Sequence, residues 1–300
     1  MKFFLYIFIL TTLFSCTEKY SYDLNLTKNK TYRQRTISDS RIEQEVDGKE
    51  QITETRNSFE VLYKVVAKTD SSETLNTRFT SIYLKLKRGN EEILLSSKSK
   101  DSSKFFNTFF KNMINREFKI IVSNKGKILK VENIENIFSK IFDGVSSIHP
   151  EHKELFLNDL KQYYNENMFQ NLQLFGNNIY PNEKVAVDEK WKSENVFSNQ
   201  TVKYKTNCEL YLKKQKPKYA IINFNGKINT IENTESDINP ISLKGTTEGA
   251  YKISPITGWI KEATIYQNIN GFTEIPFDHN SRSVIKSPIK IDTKITIIGY

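Results

Sequence analysis

Cysteine, histidine and strong catalytic signatures are all scarce in this chain. Its 300 residues hold two cysteines, three histidines and two tryptophans. No G-x-S-x-G, G-x-x-x-x-G-K, H-E-x-x-H or C-x-x-C occurs. That removes the nucleophile elbow, the phosphate-cradling loop, the zincin helix and the redox dithiol. Three histidines leave few imidazoles for acid–base chemistry. Apolar stretches are short as well. The run from Phe3 to Phe14 has 12 residues, too few to cross a hydrocarbon core about 30 Å thick. After Lys2 it reads as a signal-peptide core and not as an anchor helix.

The residues that close this run, Leu13-Phe14-Ser15-Cys16, resemble the lipobox of bacterial lipoproteins. The resemblance implies cleavage before Cys16, a diacylglyceryl group on its sulfur and an acyl chain on the new amine. More than one chain is needed for durable attachment, so such a Cys16 holds the protein at a membrane. In lipoprotein sorting, an Asp directly after the cysteine favours inner-membrane retention, and an acidic run favours surface display. Thr17-Glu18-Lys19-Tyr20 offers neither. The expected location is therefore the cell envelope, on the periplasmic face of an outer membrane.

Removing residues 1–15 leaves 285 residues, enough for two ordinary domains or one large β domain. Formal charge falls from +9 to +8, because Lys2 is the only charge lost. A basic balance can signal nucleic acid. Here only 8 of 44 basic residues are Arg, and the lysines are scattered among Asn, Ile and Glu, so nucleic acid is not an expected partner. With Cys16 committed to lipid, Cys208 is the remaining thiol and no internal disulfide can form. It lies in an alternating run from Val202 to Leu212, on the side of Tyr204, Leu210 and Leu212. That is the place of a small buried hydrophobe, not of a catalytic thiol.

Period-two patterns dominate the chain. Tyr22, Leu24 and Leu26 alternate with Asp23 and Asn25. Phe59 to Val65, Ile82 to Leu86 and Ile289 to Ile297 behave likewise. Such strands have one covered face and one wet face, as in antiparallel sheets. Asp47-Gly48, Arg88-Gly89-Asn90, Asn225-Gly226 and Asn270-Gly271 read as hairpin turns. Helical spacing is confined to the middle third: Phe105 to Met113, Ile134 to Phe142, and a longer stretch from Pro150 to Phe175 that ends at Gly176.

Two segments echo one another. Phe118-Lys119-Ile120 leads through Gly126 to Ile128-Leu129-Lys130, and Tyr251-Lys252-Ile253 leads through Gly258 to Ile260-Lys261-Glu262. Both are expected to be hairpins turning at those glycines. The expected class is α+β, mostly antiparallel β, with curved sheets or half-barrels in two similar halves and helices packed between or against them. The expected parts are a signal peptide at 1–15, a lipidated tether at 16–21, a β-rich half at 22–145, a helical connector at 146–176 and a second β-rich half at 177–300.

Few constellations can carry chemistry. His149-Pro150-Glu151-His152-Lys153-Glu154 could offer nitrogen and oxygen ligands to zinc. However, Pro150 opens a helix, and Glu151 and Glu154 suit its positive end without a metal. Asp188-Glu189 beside Trp191 has the look of an acid next to a sugar-stacking ring, but a strand residue beside a polar turn gives the same pattern. No catalytic, metal or cofactor residue is assigned.

Pro181 to Trp191, with its Val185-Ala186-Val187, together with the later Gly249, Tyr251 and Gly258-Trp259-Ile260, resembles uncharacterised lipoproteins of Bacteroidota-type bacteria. In that pattern Asp188 stands where a Gly is usual. The resemblance implies long antiparallel strands curling around helices, akin to the half-barrels of periplasmic lipoprotein carriers, and it transfers no catalytic residue. The leading expectation is a lipid-anchored, non-enzymatic binding or interaction domain whose partner is an envelope protein or an amphiphilic ligand. One alternative is a lipid or amphiphile carrier with Phe105, Phe109 and Tyr251 lining a cavity. The other is a hydrolase of envelope glycan or lipid.

Overall fold

A computed structural model describes residues 18–46, 48–101, 105–138, 140–143, 149–163, 169, 175–176, 178–198, 202–233, 241–276 and 284–300. The lipobox and Cys16 lie outside the described residues.

Twelve strands form one antiparallel sheet. They are β1 (Thr31–Val46), β2 (Lys49–Lys68), β3 (Ser72–Arg88), β4 (Glu91–Ser96), β5 (Phe118–Ser123), β6 (Ile128–Glu132), β7 (Lys190–Ser198), β8 (Val202–Lys216), β9 (Tyr219–Asn233), β10 (Ile241–Ile253), β11 (Ile260–Pro276) and β12 (Val284–Gly299). Their order is β6-β5-β3-β2-β1-β12-β11-β10-β9-β8-β7, with β4 hydrogen-bonded to the free length of β3. The chain therefore meanders outward from β1 and returns inward to β12, and those two strands pair from Gln34↔Gly299 to Gln44↔Ile289. Residues before and after the helical region thus share a single sheet.

Among the described residues the named helices are α1 (Phe105–Met113), α2 (Glu135–Phe138) and α3 (Pro150–Tyr163). The fold is therefore mostly antiparallel β, as expected, built as one open sheet with a minor helical share among the described residues. Of the stretch expected to run from Pro150 to Phe175, Pro150–Tyr163 and Phe169 are helical, residues 164–168 and 170–174 lie outside the described residues, and Gly176 has φ 78°. The stretch from Ile134 condenses to the single turn of α2.

Strict alternation gives the sheet two unlike faces. Along β1, Tyr32, Gln34 and Thr36 are buried while their odd-numbered neighbours Thr31, Arg33 and Arg35 are exposed. Register carries this inner face across the sheet through Tyr63, Thr77, Ile297, Ala263, Tyr251, Ile222 and Leu212. Irregularities at Glu60/Val61, Val65/Ala67 and Lys252/Ile253 bend the strands, as bulges do.

Over the inner face, at one end of the strands, lies the segment Tyr20 to Leu26. Tyr22, Leu24 and Leu26 are buried, as the alternation predicts. Yet the segment is a strap and not a ladder strand, because its amides are satisfied by turns and a side chain. Leu24 N–H donates to the Asn124 carbonyl at 2.7 Å, Asn25 N–H to Thr257 at 2.9 Å and Leu26 N–H to the Glu73 carboxylate at 2.6 Å. Burial of Leu24 and Leu26 alone contributes about 1.5–3 kcal/mol each. Under the strap, Trp259 meets Tyr32 and Tyr63 at centroid distances of 5.0 and 5.8 Å, and further along the core Phe118 meets Phe169 at 5.1 Å.

Both echo segments are antiparallel hairpins, β5–β6 turning at Gly126 and β10–β11 at Gly258, with φ 77° and 68°. Two other glycine signals read as turns are corrected. Asn225-Gly226 lies within β9, opposite Cys208 and Thr247, and Asn270-Gly271 lies within β11, opposite Leu243 and Ile289. There a Cβ would come within 2.5 Å of Cys208 Sγ and 1.9 Å of the Ser242 carbonyl. These glycines permit close approach of neighbouring strands instead of reversing the chain.

Candidate functional site: a plugged inner face and a charged trough

On the inner face, Gly176, Ile179, Cys208, Leu210, Phe224 and Tyr251 border a crevice of about 40 Å³. That volume suits a water molecule, not an acyl chain. Tyr251 is buried, lies 5.3 Å from the Phe224 ring, and burial raises its phenol pKa. Phe105 and Phe109 do not border this crevice. They belong to α1, 5.9 Å apart, in a helix that packs on β4 and α2. The three expected cavity residues thus lie in two places and share no cavity among those described. Cys208 faces inward as its alternation predicts, and desolvation pushes its thiol up to about 11.

The opposite face, at the end of the long strands away from the strap, holds a trough of about 740 Å³. It crosses from β3 and β4 over β2, β1, β12 and β11 to β10. Five acidic and five basic side chains border it: Asp39, Glu54, Glu92, Glu248 and Asp292 against Arg41, Arg56, Lys85, Lys87 and Lys294. Register explains this balance. Asp39 lies between Arg56 and Lys294, and Arg41 between Glu54 and Asp292, so opposite charges meet directly across strands.

Arg56 holds Asp39 with two bonds of 2.7 and 3.1 Å, and Lys85 meets Glu92 at 2.9 Å. Hydrogen bonding to Asp39 raises the Arg56 pKa, and Lys290 with Asn268 lowers that of Asp292. At the rim Tyr266 is 48% exposed, with Lys294 Nζ 5.7 Å from its ring centroid. A second hollow of about 990 Å³, from Lys192 and Glu194 to Thr246 and Glu248, continues this polar face toward β7.

Sequence reasoning marks Lys290, Asp292 and Lys294 as wet residues of β12 but misses the trough. Its other wall, Asp39 and Arg41, is some 250 residues away in sequence, and only the β1–β12 register brings the two together.

The remaining candidates are ordinary surface features. His149 Nδ1 lies 3.9 Å from Glu151, with both side chains more than half exposed. Among the described residues no group of three His, Cys, Asp or Glu side chains is placed to hold a metal. Trp191 is half-buried on the inner face and donates to the Ile179 carbonyl at 3.2 Å. Glu189 accepts from the Ala186 amide at 2.8 Å, which is the main cause of its lowered pKa, and pairs with Lys19. Asp188 takes the usual glycine's left-handed geometry, φ 64°, which Asp tolerates better than most residues.

Fold and surface together define an open antiparallel β-sheet protein, plugged on one face and charge-paired on the other. Residues 70–260 match the model of a family of unknown function, DUF6263, and the chain belongs to that family. No curated protein matches the sequence. Among solved structures, one described for lipid–protein interactions in lipovitellin is 12% identical over 91% of this chain, with a TM-score of 0.48. This chain spans 25% of that lipovitellin chain. An outer membrane channel from Pseudomonas putida F1 is 7% identical over 94% of this chain and 98% of its own, with a TM-score of 0.25.

Proposed function

We propose that the chain is a lipid-anchored protein of the cell envelope, held at the periplasmic face of an outer membrane through Cys16, and that its body is a non-enzymatic binding domain. One observation carries the reading of the body: among the described residues the crevice beside Cys208 and Tyr251 on the inner face holds about 40 Å³ and a hollow at its β7 edge about 280 Å³, whereas the outer face offers a trough of about 740 Å³ with ten charged side chains in cross-strand rows. A carrier needs the opposite arrangement, a roomy apolar concavity. A binding domain needs a rigid surface of fixed, oriented polar groups, and a sheet pinned by a filled core provides one. The reading of the anchor is supported by Leu13-Phe14-Ser15-Cys16.

Native mass spectrometry of the acyl-free chain begun at Thr17 tests the body. The bare polypeptide mass is expected, and stoichiometric co-purifying lipid would replace this reading with the carrier. Metabolic labelling with a fatty acid tests the anchor: Cys16→Ala is expected to lose label and membrane retention, and equal labelling of variant and parent would overturn lipidation.

A further inference from the structure

We propose that the strap end of the sheet is a membrane-docking surface that lies against a bilayer carrying anionic headgroups. The turns between β2 and β3, β5 and β6, β8 and β9, and β10 and β11 all fall at this end, beside the strap and the loop that enters β7. Contacts tie them into one surface. Lys261 Nζ donates to the Lys218 carbonyl at 2.9 Å, Lys125 Nζ meets Asp23 at 2.5 Å, and Lys19 Nζ meets Glu189 at 3.1 Å.

Charge is distributed unevenly along the strands. Residues 18–30, 68–72, 123–127, 183–190, 213–218 and 252–262, which make up this end, contain 14 lysines, no arginine, and 7 Asp and Glu. At the far end, residues 43–50 and 86–92 around Gly48 and Gly89 contain 3 basic and 6 acidic residues. The molecule is therefore polarised along its strand axis. The densest point is the β8–β9 turn, where Lys213, Lys214, Lys216 and Lys218 are all exposed. Apolar side chains accompany the charge: Ile256 at the tip of the β10–β11 turn is 78% exposed and Val187 is 44% exposed. Lysines around a few protruding apolar residues are what an anionic lipid surface attracts.

The chain's path gives the orientation. Tyr20 is pinned to Val185 by a two-bond bridge, each bond 2.9 Å. The four residues from Cys16 to Tyr20 span at most about 14 Å. An acylated Cys16 would thus hold this end, and not the acidic one, within about a Debye length or two of the headgroups. This orientation rests on the lipid-anchor reading, whereas the docking surface itself does not.

The experiment uses the acyl-free chain begun at Thr17, since among the described residues the buried hydrophobic core lies between Tyr22 and Ile297. Co-sedimentation is measured with vesicles of phosphatidylcholine alone and of equimolar phosphatidylcholine and phosphatidylglycerol. Binding is expected to the anionic vesicles, to weaken with salt, and to fall at least about tenfold in Lys213→Gln/Lys214→Gln/Lys216→Gln/Lys218→Gln. Lys49→Gln/Arg88→Gln, exposed at the far end and outside the trough, is expected to bind as the parent does. Should the fourfold variant fail to fold by circular dichroism, Lys216→Gln/Lys218→Gln flanks the exposed Pro217 and gives a smaller loss of the same sign. Equal binding to neutral vesicles, unchanged binding of the turn variants, or binding of nucleic acid without binding of anionic vesicles would overturn the proposal. Because no acyl group is present, these outcomes are independent of whether Cys16 is labelled in cells.

Discussion

The Tyr180 hydroxyl donates a 2.7 Å hydrogen bond to the Gly258 carbonyl, and the same ring closes over Gly126, where an added Cβ would lie 3.0 Å from Tyr180 Cε2. One buried side chain therefore touches both glycine turns, although they are 132 residues apart in sequence. The strap completes the junction, donating its Leu24 and Asn25 amides to the Asn124 and Thr257 carbonyls of the same turns. The sheet's two arms are locked to each other at this point.

Tyr180→Phe is expected to destabilise the protein by about 1–2 kcal/mol, since it leaves a buried carbonyl without its donor. Tyr180→Ala adds a cavity and is expected to cost about 3–5 kcal/mol. Urea unfolding followed by circular dichroism measures both, and a Phe variant as destabilised as the Ala variant would show that the ring contributes nothing beyond its hydroxyl.

Gly126→Ala and Gly258→Ala test the turns themselves. Both glycines have positive φ, and a Cβ would come within 2.6 Å of the Phe175 carbonyl and 2.3 Å of the Asp23 carbonyl, respectively. Backbone atoms cannot swing aside, so each variant is expected to lose more than about 1 kcal/mol. Gly48→Ala serves as comparison: its φ is 72° but nothing lies within 4 Å, so only the conformational cost applies. Thermal midpoints should order Gly48→Ala above both core-turn variants.

The glycine turns also show how much of the fold is legible in the sequence. Alternation locates β2, β3, β8 and β12, and the echo locates the two hairpins, because both signals are local and period-two. Asn225-Gly226 and Asn270-Gly271 mislead for the same reason. A turn-forming dipeptide and a glycine that lets two strands approach look alike until the partner strand is known. Alternation reads the strap as a ladder strand because it reports which side chains are buried, not where the amides bond. The trough is invisible in the sequence because Asp39–Arg56 and Arg41–Glu54 are contacts set by register, and register follows from the sum of many weak preferences along 16 to 20 residues of strand.

Cys208 gives a pH-dependent prediction. Burial pushes its thiol up to about 11, above the ordinary value of 9.0, and thiolate is the reactive form. In the acyl-free chain, which has no other thiol once Cys16 is removed, reaction with a disulfide reagent at pH 8 is expected to be slow in the folded state. The rate should climb steadily as pH rises toward 11, and it should increase sharply in urea. Native and denatured rates that coincide at pH 8 would contradict the inward placement opposite Gly226.

Glu73 gives the last. Its side chain is 2% exposed, accepts the Leu26 amide at 2.6 Å, and is faced by Lys68 at 3.4 Å and, through space, by the Tyr180 phenol. Desolvation raises its pKa above the ordinary 4.5, outweighing the amide and Lys68, which both lower it. A carboxyl with a raised folded pKa favours the folded state most when protonated. Its contribution is full below the unfolded value and is lost as pH rises through the higher folded value. Deprotonation therefore leaves a buried charge under the strap at neutral pH, only partly offset by Lys68. Glu73→Gln keeps an acceptor for Leu26 while removing that charge. Relative to the parent, the variant should gain stability as pH rises from 4 to 8, in urea titrations at fixed salt. A difference between parent and variant that stays constant over that range, or shrinks with rising pH, would mean that Lys68 fully neutralises the carboxylate and that the strap is clamped by an ion pair.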